Sequence, residues 1–213
     1  DLLREAAGEG APGEEARMDA LLLLGGIPEA AEAVLAAAGD GAWRIRQAAC
    51  DLLWDDPSEG ATRALVAALG HPKRSVRESA FLGLEHRLGR PLVPLLLAEW
   101  DRDREHPGRN LILWLLGRSA DPDAWRARAI AALTDADPEV RLYAADALGR
   151  APGADAVAAL REAARAGVDG VRWAALRSLQ RSDPSAAAGL LREAQAASGA
   201  GPWVRSLAEA PPR

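Results

Sequence analysis

Three histidines, one cysteine and seven tryptophans are the residues of this 213-residue chain whose types invite chemistry. His71 and the run Asp103-Arg104-Glu105-His106 fall in turns, so His71, Asp103, Glu105 and His106 form the one metal set the spacing offers. That spacing matches no zinc arrangement of Cys and His ligands. Solvated turn histidines account for the same residues, and no metal is assigned. Glu85-His86 closes a helical stretch. Cys50 has no partner for an internal disulfide, which fits a reducing compartment. It falls at the edge of an apolar face, where a free cysteine serves as a small buried hydrophobe. There is no Gly-rich phosphate loop, nucleophile elbow or Cys/His nucleophile pair. No catalytic residue and no cofactor is therefore expected. The tryptophans mean little until the register of the elements that carry them is known.

Composition selects those elements. The chain holds 49 Ala and 31 Leu, against 15 Val, Ile and Thr together. Strands favour β-branched and aromatic side chains, whereas Ala, Leu, Arg and Glu favour helices. Sheet folds are excluded and an all-α fold is expected. The 26 basic residues include a single lysine, Lys73, and are outnumbered by 31 acidic ones, for a net charge of −5. An acidic chain lacks the bulk attraction for phosphates, so a nucleic-acid partner is not expected. The longest apolar run, around Ala20 to Leu24, is too short to span a bilayer. No secretory signal is visible. Those features predict a cytoplasmic protein, and the Arg- and Ala-heavy usage a bacterial, GC-rich source.

Internal repeats then fix the register. Ile45-Arg46-Gln47-Ala48-Ala49, Val76-Arg77-Glu78-Ser79-Ala80, Val140-Arg141-Leu142-Tyr143-Ala144 and Val171-Arg172-Trp173-Ala174-Ala175 share one pattern. Each reads apolar, Arg, two variable positions, Ala, with a leucine (Leu53, Leu84, Leu148, Leu179) four residues on. Arg17, Arg109 and Arg205 extend the column, whose spacings are 29, 31, 32, 32, 31 and 33. Marked helices are expected near 16–25, 43–54, 74–87, 108–118, 138–149, 170–181 and 203–209. A second helical stretch precedes each, as in Glu59–Gly70 and Ala154–Ala166, opened by caps such as Ser58 or by Asp-Pro starts. A helix pair of this size cannot bury its apolar stripe alone, so neighbours must stack. The prediction is an α-solenoid, an α-α superhelix of about six to seven helix pairs, forming one domain over 1–213. Asp1–Ala7 reads as a stub of a first helix, so the N-terminal repeat is expected to be truncated.

The pattern Val-Arg-x-x-Ala-x-x-x-Leu, with Asp40, Asp103 and Asp135 six residues ahead of an Arg, resembles HEAT repeats. The short period most resembles the phycobilisome-lyase-type subclass, and the armadillo-like fold follows from the resemblance. It implies that the Asp and Arg ladder from repeat to repeat. Gly108 and Ile112 depart from the pattern, standing where an apolar residue and Ala should be. HEAT-like di-iron hydroxylases place a His-Glu pair after the repeat Arg. Here those positions hold Met18-Asp19, Gln47-Ala48, Glu78-Ser79, Asn110-Leu111, Leu142-Tyr143 and Trp173-Ala174, which excludes that activity.

The resemblance also makes the marked helix line the concave surface. At about 100° per residue, positions one, five, eight and twelve after the Arg point away from the core. These columns carry Trp54, Trp114 and Trp173 beside Asp51, Glu78, Glu85 and Asp146, with Leu142 and Arg177. An aromatic and acidic groove suits a basic protein or peptide partner held partly by cation–π contacts. The expected function is a non-catalytic scaffold for protein–protein interaction that uses those nine residues. Two alternatives come from the resemblance. HEAT-like alkylpurine DNA glycosylases use an Asp with aromatic neighbours on a basic concave surface, faintly echoed by Asp146, Arg177 and Trp173. Phycobilin-lyase subunits share the repeat type.

Overall fold

The computed structural model describes residues 13–25, 27–88, 92–166 and 169–196. Among them are twelve α-helices and no strand. The chain divides into two compact units, 1–108 and 109–213. Unit 1 carries α1 (Glu14–Leu24), α2 (Ala31–Ala37, entered through a 3-10 turn at Pro28–Ala30), α3 (Trp43–Leu52), α4 (Glu59–Ala68), α5 (Arg74–Glu85) and α6 (Val93–Arg102). Unit 2 carries α7 (Arg109–Leu116), α8 (Pro122–Ala132), α9 (Pro138–Arg150), α10 (Ala154–Ala166), α11 (Asp169–Ser182) and α12 (Pro184–Ala196). The expected helix at 203–209, with Arg205 and Ala208, and the stub Asp1–Ala7 lie outside the described residues.

The helices start where local chemistry lets them. Ser58 Oγ accepts from the Ala61 amide at 3.1 Å and Asp137 Oδ1 from that of Glu139 at 2.8 Å, satisfying otherwise orphaned first-turn donors. Asp121 shows the other kind of start, the Asp-Pro one. It precedes Pro122 at φ 58 and makes no capping bond, so the fixed φ of proline starts α8.

Each unit is a two-layer stack. The marked helices pack in succession, α1 on α3 and α3 on α5 in unit 1, α7 on α9 and α9 on α11 in unit 2. The preceding helices form the other layer, α2 on α4 and α4 on α6, then α8 on α10 and α10 on α12. Between the layers lie the repeat columns. Ile45, Val76, Ala49, Ala80, Ala144, Ala175, Leu84, Leu148 and Leu179 are all buried. An alanine column admits close approach of successive helices, which a larger side chain would prevent.

The repeat arginines link one copy to the next. Arg17 grips the Asp40 carboxylate through Nε and Nη2, both at 3.2 Å, and Arg109 lies 3.0 Å from Asp135. From the other side the arginine of the same repeat turns back onto the backbone of that turn. Arg46 donates to the Asp40 carbonyl, and Arg141 donates to the Asp135 and Ala136 carbonyls at 2.6 and 2.9 Å. Asp40 and Asp135 are each held from two repeats, the ladder the resemblance implies. The Gly108 departure has a steric cause. A Cβ there would stand 2.2 Å from the Leu69 carbonyl oxygen.

Candidate functional site

Each unit presents its own set of the candidate residues. In unit 1, Asp51 and Glu78 are exposed, while Glu85 and Trp54 are half-buried. Glu78 pairs with Arg74 at 2.7 Å across one helical turn. The Trp54 ring packs on His86 of the following repeat, centroids 4.7 Å apart. Its carbonyl accepts from Arg87 Nη2 at 3.0 Å.

In unit 2, Trp114, Leu142, Asp146 and Trp173 are half-buried and Arg177 is exposed. Both tryptophans carry a cation from their own helix turn. The Arg118 guanidinium carbon lies 3.4 Å from the Trp114 ring centroid, and that of Arg177 5.1 Å from the Trp173 centroid. Asp146 is the hub of this face. Arg150 and Arg181 approach its carboxylate to 3.0 Å and Arg118 to 3.6 Å. Burial works against ionisation of Asp146, yet the bonds from Arg150 and Arg181 hold its carboxyl below the usual carboxylate range. An aspartate gripped in this way has its lone pairs already occupied. Asp51 and Glu78, by contrast, face solvent.

The three arginines share a column that sequence reasoning passed over. They stand nine residues after Arg109, Arg141 and Arg172. The same position in unit 1 holds Gly26, Asp55 and His86, so the arginine column belongs to unit 2. The signal was present in the repeat register, one place beyond the column chosen.

The eighth position behaves differently from its expected orientation. Gly117 and Gly149 are buried. A Cβ on Gly117 would come within 2.7 Å of Ala147 Cα, and one on Gly149 within 2.4 Å of Ser178 Cβ. This column is therefore the seam where the next marked helix passes, not open surface. A wheel drawn on one helix registers the core beneath it but not the neighbour beside it. Trp54 occupies the same column, which explains why it packs on the next repeat.

Several other expectations find their places. Cys50 is fully buried, and burial pushes its thiol from 9.0 up to about 12. His106 is not a solvated turn residue. It is buried, with Nε2 2.8 Å from Glu99 Oε1, and its Nδ1 accepts from the Gly108 amide at 3.1 Å. The accepting Nδ1 fixes the neutral tautomer, in which Nε2–H donates to Glu99. Among the described residues no group of three metal-binding side chains forms, so His71, Asp103, Glu105 and His106 do not converge. Of the tryptophans off the columns, Trp125 and Trp100 are core residues, and Trp43 lies between Arg44 and Lys73, 5.2 and 5.4 Å from its centroid. Trp203 lies outside the described residues. Arg87 was missed altogether. It is buried, donates to the Gly83 carbonyl and Thr62 Oγ1 at 3.1 and 3.0 Å, and caps the end of α3 through the Leu53 and Trp54 carbonyls.

No helix among the described residues is long and apolar enough to cross a membrane. The comparison with curated proteins returned no match. A family model for HEAT repeats matches residues 90–180 and again 126–210, more than half of the chain. The Arg–Asp ladder, the small-residue columns and that match agree: the chain belongs to the HEAT-repeat family.

Proposed function

We propose that this chain is a non-catalytic scaffold that binds a protein or peptide partner along the faces of its marked helices. The observation that carries the reading is the arginine column of unit 2, Arg118, Arg150 and Arg181, flanked by half-buried Trp114 and Trp173. Amphipathic aromatics and arginines are the residues that dominate binding energy at interfaces. Three arginines and Arg177 outnumber Asp146, so this face attracts carboxylates. A basic segment suits the unit 1 face, where Asp51, Glu78 and Glu85 lie beside Trp54. The lone buried Cys50 suits a reducing, cytoplasmic setting, and the short repeat period is the ground for placing the repeats near the phycobilisome-lyase-type subclass.

The test is fluorescence polarisation with labelled acidic and basic peptides, each carrying leucine anchors. The acidic peptide is expected to bind, and its affinity to drop about tenfold in a folded Trp114→Ala/Trp173→Ala variant, roughly the weight of one hot-spot contact. Unchanged affinity in that variant removes the unit 2 face from the reading.

A second reading rests on the same aspartate. A carboxylate kept ionised on an arginine-rich face, with two tryptophans nearby, is the arrangement of residues an alkylpurine DNA glycosylase would need. Release of alkylated bases by the wild type, abolished in Asp146→Asn, would support it. Absence of excision disposes of it.

A further inference from the structure

Among the described residues the ladder aspartate is replaced at two places, and at both a crevice opens. Counting forward from Arg17 and Arg109 reaches Asp40 and Asp135. Those aspartates stand six residues before the next repeat arginine; the same position before Arg77 is His71, and before Arg172 it is Ala166. One crevice of about 410 Å³ contains Arg46 and His71, and another of about 420 Å³ contains Arg141 and Ala166. They are the same place in different repeats. Leu35 and Ile130, Ala64 and Ala159, Ala67 and Glu162, and Val76 and Val171 are each 95 residues apart and line the two in turn. At those two positions His71 and Ala166 offer no carboxylate to the arginine of the preceding repeat.

Their charges differ. The second crevice holds Asp135 and Glu162 along with Arg141. Among the described residues, the first is lined by Arg46, Arg102 and His71 and by no acid. Arg102 is bonded to Glu99, which lies outside the lining. Arg46 uses Nε on the Asp40 carbonyl, and among the described residues no carboxylate lies within ion-pair distance of it, the Asp40 carboxylate being held by Arg17. Burial and the nearby Arg46 charge push His71 down from its usual value, favouring a neutral ring. The rest of the lining includes Leu35, Ala64, Ala67 and Val76. Two guanidiniums in a largely apolar lining match a carboxylate on a short hydrocarbon chain, since guanidinium forks pair with carboxylates and the remainder of a small-ligand site is ordinarily apolar.

We infer that the crevice between the second and third repeats of unit 1 binds a small amphiphilic carboxylate, whose head group takes the place of the missing ladder aspartate beside Arg46. The site is separate from the marked-helix faces and does not depend on the function proposed for them.

Decanoate below its micellar concentration serves as the probe, with decanol and decylamine as controls, titrated calorimetrically into the whole chain. Sub-millimolar binding of decanoate alone is expected. Two variants close the site by different routes. Ala67→Glu, at an exposed position on α4, imports the acid of the second crevice and should weaken decanoate binding at least tenfold. His71→Asp restores the ladder partner of Arg46, and should abolish binding while holding or raising the melting temperature. No decanoate binding by the wild type, equal binding of decylamine, or undiminished affinity in a folded Ala67→Glu protein would each overturn the inference. The last result remains decisive even where His71→Asp fails to fold.

Discussion

A thiol is reactive only as a thiolate, and Cys50 is denied that form. Burial is the largest cause, reinforced by Asp51 and opposed by Arg46. Native protein at pH 8 should therefore resist iodoacetamide, whereas denatured protein takes one equivalent, as mass spectrometry will show. Labelling of the folded chain at the denatured rate would remove Cys50 from the core. Asp146 titrates in the opposite sense. Its folded pKa is depressed below the ordinary 3.8, so the stability it contributes is present above that value and lost as pH falls through the depressed one. Asp146→Asn is expected to cost about 1 kcal/mol at pH 7, the scale of a part-exposed ion pair. The difference from wild type should vanish in melts at strongly acid pH. A difference that persists there would assign the effect to packing.

At the scale of the element, the helices were legible because each carries its own evidence. Arg, Ala and Leu recur at fixed offsets, and Ser58 and the Asp-Pro dipeptides mark starts from within the local sequence. The site was legible only in part. The Trp114, Trp173 and Asp146 positions could be read from the register. Arg118, Arg150 and Arg177 stand four residues further along the chain and were legible in the same register, whereas Arg181 reaches Asp146 from the next repeat, an approach no single helix reveals. His106 was hidden for the same reason, since its partner Glu99 stands on the preceding helix and its cover, Gly70, in an earlier turn. Ala144 tests the element scale directly. It is fully buried on α9, between α7 and α11. Ala144→Leu should overpack the stack at a cost of about 1–3 kcal/mol, lowering the denaturant midpoint. An unchanged midpoint would show that the column does not set helix spacing.

For the whole molecule, the energetics of a repeat stack are those of neighbours. Each repeat contacts the copies beside it, so stability is a sum of local interfaces rather than the property of one central core. Unit 2 holds six described helices, three of them marked, with its own Asp135 and Asp146 ion pairs. Residues 109–213 expressed alone are expected to give a helical circular-dichroism spectrum and a cooperative melt. A featureless spectrum would show that this unit needs residues before Arg109.

The seam at the eighth position has a consequence for how such a chain can be rebuilt. Gly117 and Gly149 leave no room for a side chain, while Trp54 fills the same place with a ring that needs His86 opposite. Successive copies are thus keyed to one another like differently cut teeth. The repeats cannot be shuffled: a module carrying Trp54, moved ahead of Ala147 or Ser178, would meet the Ala147 backbone or the Ser178 side chain where it requires a slot. The order of the copies is written into the interfaces as firmly as the helices are written into each copy.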